Sequence, residues 1–85
     1  MTDIIIHLIK KMLLTLDTLG PVGLEEASLK DQAEISAGCP TTTQDRDMAM
    51  QTCIERGWIK SYRQELTGRT RWYLTDMGRV ARAGL

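Results

Sequence analysis

Residues 53–79 read Cys-Ile-Glu-Arg-Gly-Trp-Ile-Lys-Ser-Tyr-Arg-Gln-Glu-Leu-Thr-Gly-Arg-Thr-Arg-Trp-Tyr-Leu-Thr-Asp-Met-Gly-Arg, and the succession of residue types there decides the fold. Ala49, Met50 and Cys53 lead in on one helical face, with Ile54 at its edge. Gly57 ends that helix. Trp58 to Gln64 contains aromatic and β-branched residues and reads as a strand. Glu65 to Arg69 is a turn in which Gly68 supplies a positive φ. Thr70 to Leu74 returns, with Trp72 and Leu74 on one face and Arg71 and Tyr73 on the other. Thr75 then caps a last helix that runs through Arg82.

Upstream, Thr41 and Gln44 have capping-box spacing, so the helix ahead of the hairpin runs from about Thr42 to Arg56. Its outward side carries Gln44, Asp47, Met48, Gln51 and Glu55. Ser28 and Asp31 offer a second box, opening a helix from Leu29 to about Ala37 with Leu29, Ala33, Ile35 and Ala37 toward the core. Leu24 to Ala27 reads as a short extended piece, and Gly20-Pro21-Val22-Gly23 as the stop of the helix before it.

That first helix is capped by Thr2 or Asp3 and has Ile4 to Leu19 as its body. Its apolar residues cover an arc of about 200°, twice the width of an ordinary core-facing stripe. Either it is buried on two sides within the chain, or its outer edge of Ile6, Leu13 and Leu14 packs on a second copy. His7, Lys10, Lys11 and Asp17 interrupt the apolar run, which excludes a membrane span and a signal peptide and points to a cytoplasmic protein.

The chain of 85 residues suits one domain, 1–85, with no linker, repeat or low-complexity tract. It has no Phe, so Leu, Ile, Met and Val, with Trp58, Trp72, Tyr62 and Tyr73, are the material for a core. Net charge is zero but divided: about −3 over residues 1–40 and +3 over 41–85, with Arg56, Lys60, Arg63, Arg69 and Arg71 concentrated around the hairpin. One histidine and two cysteines outside any CxxC pair do not make a zinc set, and no metal or cofactor is expected. Cys53 reads as core and Cys39, beside Pro40, as exposed. No Ser/His/Asp or Cys/His grouping, carboxylate pair or phosphate-cradling glycine loop is present, so catalysis is not expected.

The order helix, short strand, helix, helix, hairpin, helix resembles the winged helix-turn-helix superfamily of DNA-binding domains. Two stretches carry the likeness. Cys53 to Ile59 resembles the exit of that family's recognition helix, and Arg71 to Arg79 resembles the second wing strand running into a Leu-Thr-x-x-Gly-Arg helix start. The resemblance implies an α+β, mainly α fold: a three-helix core, a wing of two or three strands and a short C-terminal helix. It implies a transcriptional regulator that places its third helix in the major groove of double-stranded DNA and its wing on the backbone.

Carried onto this chain, the wing cations are Arg63, Arg69 and Arg71. Thr42 and Thr43 stand at a helix N-terminus suited to phosphate, and Gln44 and Gln51 suit adenine edges. Asp45, Asp47 and Glu55 depart from this pattern by making the third helix acidic, with Arg46 offsetting one of them. That departure supports the alternative of an adaptor that binds another protein, since winged helices also serve as interaction modules. The arginines also have a plainer reading, as charges that solvate a hairpin and block edge pairing. Trp58 and Trp72 read as core, not as a base-stacking platform.

Overall fold

The computed structural model describes residues 2–85 and shows an α+β, mainly helical, winged helix-turn-helix arrangement. Helix α1 spans Asp3–Leu19 and ends in a 3₁₀ turn at Gly20–Val22. Helices α2 (Glu26–Ala37) and α3 (Thr43–Glu55) follow. Strands β1 (Ile59–Arg63) and β2 (Thr70–Leu74) form the wing, and α4 (Asp76–Gly84) closes the order. The strands pair antiparallel, Ile59 opposite Leu74 and Arg63 opposite Thr70. Leu24 adds a single bridge to Trp72, donating its N–H at 3.1 Å and accepting at 2.7 Å, so the third strand of the wing is one residue long.

The wide apolar arc of α1 is explained within the chain. Ile5, Leu8, Ile9, Met12, Leu13 and Leu16 are buried, and α1 packs on α2, α3, α4 and β2. Leu29 and Ala33 of α2, Ala49, Met50 and Cys53 of α3, and Ile59 and Leu74 of the wing complete the core. Leu13 has no exposed surface, so it cannot lie at an interface with a second copy. Ile6 stays partly exposed and Leu14 exposed.

Helix α2 begins at Glu26, and Ser28 lies inside it instead of capping it. The bridge at Leu24 fixes the chain up to that residue, and Leu29 N–H already donates to Glu25 O at 2.9 Å, so helix follows the bridge almost at once. Ile35 is 71% exposed, because Leu29, Ala33 and Ala37 at spacings of four define the inward face and Ile35 falls opposite. The box that opens α3 uses Thr42 and Asp45: Asp45 N–H donates to Thr42 Oγ1 at 3.1 Å, and Thr42 N–H to Asp45 Oδ2 at 3.2 Å. Thr41 is unavailable for it, since its N–H and hydroxyl both donate to Glu34.

The two valines and Tyr62 stay outside the core. Tyr62 and Tyr73 instead meet edge to face, centroids 5.5 Å apart, on the outer side of the hairpin. His7 faces α2, its Nε2 3.3 Å from Ala37 O.

The base of the wing explains the Leu-Thr-x-x-Gly run. Thr75 Oγ1 donates to Gly57 O at 2.6 Å and accepts from Gly78 N–H at 3.0 Å, while Thr75 N–H donates to Trp58 O at 3.0 Å. One threonine thus ties the end of α3, the start of β1 and the cap of α4. Gly78 is packed so closely that a Cβ there would lie 2.2 Å from Trp58 O. Gly78→Ala should therefore lower the unfolding free energy by about 3 kcal/mol in urea titration, by forcing backbone apart.

Candidate nucleic-acid interface

Helix α3 presents one side to solvent. Ala49, Met50 and Cys53 face inward, and Thr43, Gln44, Asp47, Met48, Gln51 and Glu55 are exposed. Burial pushes the Cys53 thiol up to about 12, which makes it a packing residue and not a nucleophile.

The acids of α3 are largely engaged within the chain. Asp45 serves the capping box, and Asp47 Oδ1 accepts from Lys30 Nζ at 2.7 Å. Glu55 Oε1 accepts from Gln51 Nε2 at 3.2 Å. The cation is engaged too: Arg46 Nη1 donates to Glu34 Oε2 at 2.8 Å, and Nη2 to Thr43 Oγ1 at 3.2 Å. Glu34 therefore joins three points, since it also receives the N–H and hydroxyl of Thr41. It fixes the turn between α2 and α3 and so the angle at which α3 meets solvent.

The Thr41 hydroxyl foremost lowers the pKa of the Glu34 carboxyl; desolvation opposes it, and the Arg46 guanidinium and the Thr41 N–H add to the lowering. A lowered native value means that the stabilisation is complete above the ordinary glutamate range and is lost as pH falls through the lowered value. Glu34→Gln should thus melt below the wild type at neutral pH, and the gap in melting temperature should close on acidification. Circular dichroism melts across a pH series check this.

On the wing, every residue from 60 to 70 is exposed. Its three arginines occupy different situations. Arg69 Nη1 donates to Glu25 Oε1 at 3.1 Å, an exposed pair of the kind worth about 0–1 kcal/mol and readily exchanged. Arg71 turns back to the first helix junction, donating from Nη1 to Val22 O at 3.1 Å, with its Nε buried. Arg63 makes no ion pair among the described residues, and its guanidinium lies against Gly68. Lys60 sits 5.4 Å from the centroid of Tyr62, and Arg56 5.4 Å from that of Trp58.

The structure thus gathers Thr42, Thr43 and Arg46 at the N-terminus of α3, sets Gln44 and Gln51 on its open side, and leaves Arg63 and Arg69 on the projecting hairpin. Arg71 belongs to the base of the wing. Sequence reasoning missed Glu25, Lys30 and Glu34, the partners that occupy Arg69, Asp47 and Arg46; each pair joins separate elements, and no local spacing signals it.

Asp17 on α1 accepts from Arg82 at 3.0 Å and lies 3.8 Å from Arg79, holding α4 in place. No group of metal-binding side chains occurs among the described residues, and none of their helices is long and apolar enough to cross a membrane.

No protein-family model matches the chain, and no curated protein matches it in sequence. Among solved structures it is similar to the crystal structure of a candidate transcriptional regulator of Thermoplasma acidophilum, with a TM-score of 0.67 and 17% identity, covering 99% of this chain and 81% of that one. At that identity the likeness is one of fold.

Proposed function

We propose that the chain is a small transcriptional regulator that binds double-stranded DNA, with α3 in the major groove and the wing on the backbone. The observation that carries this reading is the open face of α3, uncovered by the other described residues and followed by a projecting hairpin on which Arg63 makes no ion pair among them. Pairing of Asp47 with Lys30 reduces the repulsion that one acid of α3 would exert on phosphate, while Asp45 serves the helix cap. The name of the Thermoplasma acidophilum protein agrees with this role.

Thr42, Thr43 and the free amides of the α3 N-terminus hold a phosphate, Gln44 and Gln51 meet base edges, and Arg46 steadies the helix start. Arg63 and Arg69 supply backbone affinity, while Arg71 supports the wing from beneath. The protein acts as a homodimer through the apolar remainder of α1, Ile6 and Leu14, with Leu85 bordering the same cleft as Leu14.

A second reading, an adaptor for another protein, is favoured by one feature: an apolar hollow lined by Trp58, Met77, Val80 and Ala81, in which Met77 and Val80 are well exposed.

Fluorescence anisotropy with a pool of random duplexes at low salt separates the two. Arg63→Ala with Arg69→Ala should weaken binding at least tenfold and flatten the slope of log affinity against log salt by about two units. Glu25→Gln, which loosens the hold on Arg69, should tighten it. No detectable duplex binding by the wild type contradicts the DNA reading.

A further inference from the structure

The tip of the wing carries a side chain that the fold does not use. Leu66 is wholly exposed, whereas the other exposed large apolar residues described still rest partly on their own chain. It stands in a turn held on both sides. Gln64 N–H donates to Arg69 O and Gly68 N–H to Gln64 O, both at 2.8 Å. Thr67 Oγ1 donates to Gln64 Oε1 and accepts from Arg69 N–H, both at 3.2 Å. Gly68 takes φ 69°, the conformation that closes such a turn. Leu66 is therefore presented on a hydrogen-bonded support, with the guanidinium of Arg63, which makes no ion pair among the described residues, close to Gly68 in the same turn, and with Arg69 held by Glu25.

We propose that Leu66 is a minor-groove wedge, inserted between base pairs at a flexible pyrimidine–purine step, so that this protein kinks the DNA it binds. The inference rests on the DNA reading given above and adds to it a mode of recognition. An apolar side chain at the head of a narrow arm, with the Arg63 cation in the same hairpin to meet a phosphate of the groove wall, suits partial unstacking of a base step. Burying the leucine between bases removes from water an apolar surface that the chain itself leaves uncovered. Steps such as TA and CA are the easiest to open, so sequence is selected by deformability. This suits a third helix with few groups for base contacts, Gln44 first and then Gln51, which is bonded to Glu55 in the free protein. Glu65 is the opposing charge at the tip, and its neutralisation should strengthen binding.

The test uses a duplex of about 25 base pairs, end-labelled with a donor and acceptor, carrying one central TA step among A·T pairs; a second duplex replaces that step with a purine–pyrimidine step. Energy transfer reports bending and anisotropy reports affinity. Wild-type protein should raise energy transfer on the first duplex more than on the second. Leu66→Ser, a change at a wholly exposed position, should abolish the rise and weaken binding about tenfold while leaving the dependence on Arg63 intact. Leu66→Met should keep both. If the wild type binds but leaves the duplex straight, or if Leu66→Ser bends it equally, the wedge is overturned and the DNA reading stands. If the wild type binds neither duplex at low salt, both fall together.

Discussion

Burial of α1 against four elements at once is the constraint from which the rest of the structure follows. Leu8, Met12 and Leu13 have no exposed surface and Leu16 and Ile9 almost none, and the helix that carries them packs on α2, α3, α4 and β2. Removing a side chain of this size from water stabilises by about 1.5–3 kcal/mol. A chain without phenylalanine has no other comparable source. Because one helix serves as the common support, the helix-turn-helix pair and the wing are positioned against the same surface and not merely against each other.

On that support, polar clamps set the fine geometry. Glu34 fastens the turn into α3, Lys30 and Asp47 join α2 to α3, Asp17 anchors α4, and Thr75 joins three backbone segments at the root of the wing. Each exposed ion pair contributes little to stability. Their role is directional: they hold α3 with its core residues inward and its polar side open. One of them, Lys30 to Asp47, offsets an acid of α3 while Glu34 takes up the Arg46 cation, so net charge over the helix is a poor guide to what its surface offers.

Much of this architecture was legible in residue order. The hairpin, its Gly68 turn, the Thr75 cap and the inward trio Ala49, Met50 and Cys53 follow from local chemistry, and the structure has them where that chemistry puts them. Most of the errors share one cause. Ser28 against Glu25, Thr41 against Thr42 and the placement of Leu13 depended on contacts between distant segments: the Leu24 bridge, the Glu34 clamp and the several neighbours of α1. Ile35 was a matter of local spacing, since it lies opposite the stripe of Leu29, Ala33 and Ala37. The candidate site was legible as a set of residue types. Which of its cations are free was not, because Glu25 and Glu34 reach them only once the chain is folded.

The proposed function requires the open face of α3 and the tip of the wing to meet duplex DNA together. Backbone amide shifts measured by NMR during titration with a duplex test it most directly. Shifts should concentrate at Thr42–Asp45, at Gln51 and across Gln64–Arg69, with residues 77–85 little changed. Shifts confined to Trp58, Met77 and Val80, or none at any duplex concentration, would contradict it.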